Sequence, residues 1–153
     1  YVQFLMAEVA KKKGVREINN PHYGISAKNR PQWLLHYLEP DIILQKTDEQ
    51  MVVDAKYKSH MFNWNDESAE LKDTFRHDFH QILAYCSLCS MSIKQGMLVY
   101  PFRDFVCHKT KVNSPITHSE ATIYLIGIPI EKNRIGEVRD NLCGIISFSN
   151  EED

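Results

Sequence analysis

Residues 40–58 read PDIILQKTDEQMVVDAKYK, and this stretch decides the fold. Residues 40–45 (PDIILQ) and 51–58 (MVVDAKYK) are apolar runs with β-branched residues, which is typical of strands. The polar residues 47–50 (TDEQ) between them predict a turn. Two strands joined by about four polar residues form a β-hairpin.

Charged residues lie at the open end of this hairpin. Asp54 and Lys56 are two positions apart and therefore share one face of the second strand, whereas Ala55 and Tyr57 point to the other face, where we expect Tyr57 in the core. The turn brings Asp41, which opens the first strand, back towards Asp54. Two acids and one base are thus expected to converge at one edge of a sheet.

This combination suits phosphodiester hydrolysis. Mg²⁺ prefers hard oxygen ligands, such as Asp41, Asp54 and the backbone carbonyl of Ala55. The metal polarises a phosphate and lowers the pKa of bound water, and Lys56 can stabilise the developing charge. The alternative is that these residues are solvated surface charges. Against it, Asp54 interrupts an apolar run, and burying an unpaired carboxylate is costly.

The rest of the chain predicts an α/β fold with a mixed central β-sheet flanked by α-helices. We expect helices at 2–13, 75–93 and 135–142, and strands at 97–100, 121–130 and 144–148. Gly14 and Gly96 are expected to end the first two helices. Residues 61–74 suggest a surface loop or a frayed helix, and residues 103–120 are polar, with a turn at 113–115.

Composition narrows the class of protein. The 153 residues make one domain, 1–153, and a net charge of −2 argues against a surface that coats nucleic acid. No apolar run is long enough to span a membrane. Cys86 and Cys89 form a CxxC with no second pair, so we expect buried thiols in a reducing cytoplasm. The start at Tyr1 suggests a piece of a longer chain.

Pro40-Asp41 and Asp54-Ala55-Lys56 resemble the two halves of the PD-(D/E)XK nuclease motif. The resemblance implies a restriction-endonuclease-like core in which Asp41 and Asp54 bind Mg²⁺ or Mn²⁺ and Lys56 assists the attacking water. A helix before the hairpin and another after it match the order of that core.

Two further motifs extend this resemblance. Gln81 and Tyr85 resemble the QxxxY motif of RecB-like nucleases, which implies that they contact the substrate or organise the metal ligands. They are four residues apart and share a helix face. Glu8 resembles the acidic residue that the first helix contributes to the metal site, although Gln3 is an alternative for that place.

Three features look most like the McrC family, the nuclease subunit of McrBC-type, modification-dependent restriction systems. They are VVDAKYK, the D-x-x-Q-x-x-x-Y pattern that begins at Asp78, and the strand ending at Tyr100-Pro101. The resemblance covers residues 2–101. It implies a metal-dependent DNA endonuclease that acts on methylated DNA with a GTP-driven AAA+ motor, which a missing N-terminal part would bind. No P-loop is present in this sequence.

Several alternatives stay open. The chain could be a catalytically inactive nuclease-fold module that binds DNA or a protein, and an exonuclease, an RNA substrate or a homodimer is not excluded. Lys58, Lys12, Lys13 and Arg76 are candidates for a phosphate-binding patch, whereas lysines after a helix are commonly a solvated cap. His77 and His80, which flank Asp78, suggest a structural or DNA-facing role rather than a transition-metal site.

Overall fold

The computed structural model describes residues 1–26, 28, 32, 35–58, 68–89, 94–113 and 119–148. Its helices are α1 (Val2–Lys13), α2 (Ala69–Leu88) and α3 (Ile135–Ile145), with a short 3₁₀ helix at Lys132–Arg134. Its strands are β1 (Arg16–Asn19), β2 (Tyr23–Gly24), β3 (Tyr37–Leu38), β4 (Ile42–Lys46), β5 (Glu49–Ala55), β6 (Lys94–Pro101), β7 (Val106–Asn113) and β8 (Glu120–Ile128). Within these described ranges, no helix is both long and apolar enough to cross a membrane.

Six strands form one mixed sheet in the order β1-β4-β5-β6-β8-β7. The pairs β1/β4, β4/β5 and β7/β8 are antiparallel, whereas β5/β6 and β6/β8 are parallel. Strands β2 and β3 form a separate antiparallel pair. The mixed α/β architecture predicted from the sequence is confirmed.

The helices cover the two faces of this sheet. Because side chains alternate along a strand, Met51 and Val53 of β5 pack with α1 and α3, whereas Val52 packs with α2. The α1/α3 face has a large apolar cluster, with Leu5 and Leu142 among its fully buried members, and the buried polar residues Glu49 and Gln95 lie at one end of this face. The face covered by α2 has a smaller apolar cluster.

The first helix and the hairpin follow the predictions closely. Helix α1 ends at Lys13, and Gly14 adopts the left-handed conformation (φ 63°) that commonly terminates a helix. The hairpin turns at Thr47 and Asp48, so β5 begins at Glu49, two residues earlier than predicted. It also ends earlier, at Ala55, and Tyr57 is 92% exposed rather than buried in the core.

The prediction for α2 is shifted. The helix begins at Ala69, where the Ser68 hydroxyl accepts a hydrogen bond from Leu71 N at 3.3 Å. The first turns of α2 are polar, so the period of apolar residues does not reveal where the helix begins. The helix ends at Leu88 rather than near residue 93. Gly96 does not end the helix but lies inside β6. A Cβ there would lie 2.7 Å from Ile82 Cγ1, so this glycine lets α2 approach the sheet closely.

Edge strands account for most of the missed structure. Residues 106–113 form β7, and half-buried and exposed residues alternate along the second half of this strand. No apolar run therefore marks it. Lysines on such an edge discourage pairing with other chains. The strand predicted at 144–148 is wrong, because α3 continues to Ile145. Part of the 113–115 turn and the first half of the 61–74 segment lie outside the described residues.

Candidate functional site

Asp41 and Asp54 meet at the open end of the hairpin. The register pairs Ile42 with Val53, so Asp41 lies opposite Asp54 at the carboxyl end of β5. The backbone N–H of Ala55 donates a hydrogen bond to Asp41 Oδ2 at 2.7 Å. This bond fixes the Asp41 carboxylate against the neighbouring strand, as the hairpin prediction requires.

Asp54 is a buried carboxylate that pairs with Lys56. Asp54 is 4% exposed. Its Oδ2 atom contacts Lys56 Nζ and has no other polar partner among the described residues. Burial raises the pKa of Asp54, Lys56 opposes that shift, and the nearby charges of Asp41 and Asp78 add to it. The predicted sharing of one face by Asp54 and Lys56 is what allows this contact.

Gln81 and Tyr85 hold the ammonium of Lys56 from the neighbouring helix. Lys56 Nζ donates to Gln81 Oε1 at 2.6 Å, and Gln81 Nε2 donates to the Tyr85 hydroxyl at 2.8 Å. That hydroxyl donates to the backbone carbonyl of Glu39 at 3.3 Å. The chain of bonds fixes the Gln81 amide so that its oxygen faces the lysine. The QxxxY spacing therefore positions Lys56.

A third carboxylate, Asp78 of α2, completes the cluster. It is 1% exposed, and its Oδ1 lies 3.2 Å from Lys58 Nζ and 3.7 Å from Lys56 Nζ. The Tyr100 hydroxyl of β6 donates to Asp78 Oδ2 at 3.2 Å. Burial raises the pKa of Tyr100, and the charge of Asp78 raises it further, so the phenol stays protonated as a donor.

Asp78 is the site residue that sequence reasoning missed, although it belongs to the D-x-x-Q-x-x-x-Y pattern. A signal was present in the sequence. Asp78, Ile82 and Tyr85 follow helical spacing and are all buried, so a carboxylate occupies the apolar stripe of α2. A charge on such a stripe requires a partner. Its partners, Lys56 and Lys58, lie about twenty residues away in sequence and come together only through packing.

Glu8 is not joined to this cluster by any hydrogen bond or ion pair among the described residues. Tyr1 and Val2, at the start of α1, line a small cavity with Ala55 and Lys56. Glu8 is about two turns further along the helix, where its charge acts on Arg139 of α3. The alternative, Gln3, lies closer, because it donates to Asn20 Oδ1 at 3.1 Å. The backbone of Asn20 in turn donates to the Asp41 carbonyl at 2.8 Å.

The predicted phosphate-binding residues do not gather in one patch. Lys12 and Lys13 lie at the far end of α1, about 18 Å from its start, and Lys12 pairs with Asp140 at 3.1 Å. Arg76 is exposed and pairs with Asp73. Of this set, only Lys58 adjoins the cluster, and its charge is balanced by Asp78.

The donor atoms at this edge suit a hard cation bound partly by water. No three His, Cys, Asp or Glu side chains converge as a metal site in the part of the chain that the structure describes. His77 and His80 are exposed, whereas Asp78 between them is buried. Mg²⁺ beside a substrate phosphate is commonly held by one or two carboxylates, and Asp41 and Asp54 supply two. The buried Asp54 Oδ2 atom, which contacts only Lys56 Nζ among the residues that the structure describes, fits such a ligand.

Comparison with known proteins identifies the family. The family model described as "McrBC 5-methylcytosine restriction system component" matches residues 1–101 of the 153. A search of curated protein sequences finds no match. One chain in a solved half-complex of Thermococcus gammatolerans McrB AAA+ hexamers with bound McrC is 16% identical, with a TM-score of 0.47. The alignment covers 94% of this chain and 32% of that chain, so this chain spans about a third of the solved one. By the family match, which confirms the resemblance found in its motifs, the chain belongs to the McrBC 5-methylcytosine restriction system components.

Proposed function

We propose that this chain is a metal-dependent DNA endonuclease domain that supplies the cleavage activity of an McrBC-type restriction system. The observation that carries the proposal is the meeting of Asp41, Asp54 and Lys56 at one end of the hairpin. A buried cluster of charges contributes little net stability, since desolvation offsets the attraction between them. Its retention at a sheet edge is better explained by chemistry.

The order of elements supports a PD-(D/E)XK core. Helix α1 precedes the β4–β5 hairpin, and α2 and the parallel strand β6 follow it. The acidic pair lies at the hairpin's open end and the QxxxY residues lie on the next helix, which supports this assignment. Membership of the McrBC family agrees with this interpretation.

Each residue then has a defined task. Asp41 and Asp54, with the Ala55 carbonyl, would hold Mg²⁺ or Mn²⁺, which polarises the scissile phosphate and lowers the pKa of a bound water. Lys56 carries an ammonium that three oxygens surround, and it would act through its positive charge on the developing phosphate charge. Gln81 and Tyr85 fix its direction before the substrate arrives.

The partners follow from the family. In McrBC-type systems a GTP-driven AAA+ motor, McrB, works with the nuclease subunit on methylated DNA. We propose the same partner and the same substrate for the protein to which this chain belongs. The motor would bind parts of that protein outside the cluster. The cluster residues are engaged with one another and do not form an exposed docking surface.

Cleavage of methylated supercoiled plasmid tests the proposal. The full-length protein, its motor and GTP are incubated with Mg²⁺ or with EDTA, and nicked and linear products are measured. We expect cleavage with Mg²⁺ only, and its loss in Asp54→Asn. Mn²⁺ binding, followed by electron paramagnetic resonance without DNA, should weaken at least tenfold in Asp41→Asn and Asp54→Asn. Cleavage that persists in EDTA contradicts the proposal, and normal DNA binding without cleavage supports the inactive module instead.

A further inference from the structure

The most deeply buried charge in the described residues has no assigned task. Asp78 is 1% exposed, compared with 4% for Asp54 and 8% for Glu49. An isolated carboxylate at such a position is strongly unfavourable. Asp78 lies on α2, one turn before Gln81 and Ile82. Its side chain lies between this helix and the end of β5.

Both oxygens of Asp78 are engaged, and by different elements. Oδ2 accepts from the Tyr100 hydroxyl of β6 at 3.2 Å, and Lys58 Nζ lies 3.2 Å from Oδ1 and 3.5 Å from Oδ2. Tyr100 is 1% exposed and is held by the core of the α2 face. The carboxylate therefore has a fixed orientation, with Oδ1 facing Lys56 Nζ at 3.7 Å.

The ammonium of Lys56 is surrounded by three oxygens, one that accepts a hydrogen bond and two from carboxylates in ion-pair contact. These are Asp54 Oδ2, Gln81 Oε1 and Asp78 Oδ1. Asp54 is also a proposed cation ligand, so its charge would be shared between the cation and the lysine. Gln81 carries no charge. Asp78 is the remaining carboxylate beside the ammonium, and it also pairs with Lys58, which holds it in place.

We propose that Asp78 is a positioning residue that fixes the Lys56 ammonium for cleavage, with Tyr100 and Lys58 holding Asp78 in place. The inference rests on the proposed nuclease function and deepens it. Asp78 touches neither the substrate nor the cation and acts through Lys56 alone. Removing its charge should loosen the direction of the ammonium, and a displacement of about 1 Å can lower the rate on the order of 100-fold.

The experiment separates positioning from a structural role. Single-turnover cleavage is measured for the full-length protein with its motor and GTP, giving the maximal rate and the enzyme concentration at half-maximal rate. For Asp78→Asn we expect a maximal rate about 10- to 100-fold lower. The half-saturating concentration, the Mn²⁺ affinity and the melting temperature should change by less than about threefold or a few degrees.

Two variants keep the test decisive. Asp73→Asn is the matched control, because Asp73 is also an α2 carboxylate paired with a cation, Arg76, but is exposed. It should cleave like the wild type. Tyr100→Phe removes one hydrogen bond from Asp78 and keeps every charge, so it should lower the maximal rate about 3- to 10-fold even if Asp78→Asn fails to fold.

The outcomes distinguish the two proposals. An unchanged maximal rate in folded Asp78→Asn overturns the inference, as does an unchanged rate in Tyr100→Phe where Asp78→Asn does not fold. A loss of rate matched by an equal loss of Mn²⁺ affinity also overturns it, since Asp78 would then act on the cation site. In each of these cases the wild type still cleaves, and the nuclease proposal survives. A wild type that binds Mn²⁺ but cuts no DNA overturns both.

Discussion

The two faces of the central sheet are made by the same strands but differ in chemistry at the carboxyl end of β5. On the face covered by α1 and α3, that end is lined by apolar residues, and the buried polar residues Glu49 and Gln95 lie at the opposite end, where β5 and β6 begin. On the face covered by α2, an apolar cluster surrounds Gly96, while the carboxyl end of β5 carries Asp54 and Lys56, with Asp78 above them. One face therefore supplies stability, and one end of the other face supplies reactive groups.

This difference predicts which substitutions should lower stability and which should lower activity. Apolar burial contributes about 25 cal/mol per Å² and has no directional requirement. Buried charges contribute little net stability but require defined directions. A substitution on the α1/α3 face should therefore lower stability, whereas a substitution in the charged cluster should lower activity. The following predictions test this separation, beginning with the largest effect.

Leu5→Ala should lower the free energy of unfolding by about 2–5 kcal/mol, because Leu5 is fully buried on the apolar face. Urea unfolding measures the change. Phe4→Ala is the matched control, since Phe4 is the adjacent residue and is 54% exposed, and it should cost far less. Equal losses in the two variants would contradict the assignment of this face as the main source of stability.

Lys56→Met should lower the cleavage rate by about 10²–10³-fold, because it removes the ammonium but keeps most of the apolar stem. The melting temperature should also fall, because Asp54 is left buried without its cation, so the rate is measured at a temperature at which the variant is folded. Lys111→Met removes an ammonium from the edge strand β7, where Lys111 is exposed and pairs with Glu120, and it should cleave normally. If both variants lose the same activity, the loss reflects total charge rather than the cluster.

Gly96→Ala should lower the free energy of unfolding by about 1–3 kcal/mol, because the new Cβ would meet Ile82 Cγ1 at 2.7 Å and Ile123 Cδ1 at 2.9 Å. Among the described residues outside its own stretch of helix, Gly144→Ala in α3 brings no atom within 4 Å of the new Cβ, and it should stabilise the protein slightly. Thermal unfolding of the pair gives opposite signs if α2 packs as closely on β6 as described.

Asp54→Asn should have the smallest effect on stability, with a sign that depends on pH. Burial raises the pKa of Asp54 above its ordinary value of 3.8, so between the two pKa values the folded protein binds more protons than the unfolded chain. The contribution of Asp54 to stability is therefore present at low pH and is lost as pH rises through the raised pKa.

Urea unfolding in EDTA, from about pH 4 to pH 7, measures this difference. Relative to the wild type, Asp54→Asn should become more stable as the pH rises through that window, because asparagine has no charge to bury. Asp48→Asn, in the exposed hairpin turn, is the control and should follow the wild type. A wild type that gains stability over Asp54→Asn with rising pH would contradict the buried, weakly compensated state of this carboxylate.

Local patterns in the sequence predicted much of the fold. The 3.6-residue period and Gly14 gave α1, and two β-branched runs around a polar turn gave the hairpin. The strand period placed Asp54 and Lys56 on one face. Elements without such a pattern were missed or shifted, as for the edge strand β7 and the polar first turns of α2. Gly96, expected to end a helix, instead allows close packing.

The sequence by itself determined which residues share a face of one element, because a strand repeats every two residues and a helix every 3.6. It thereby determined the pairing of Asp54 with Lys56 and the alignment of Gln81 with Tyr85. Only the tertiary structure decided that Asp78 joins two lysines, that the charge of Glu8 acts on Arg139, and that Tyr57 is exposed. These outcomes depend on how separate elements pack and where strands end, which no period along one element specifies.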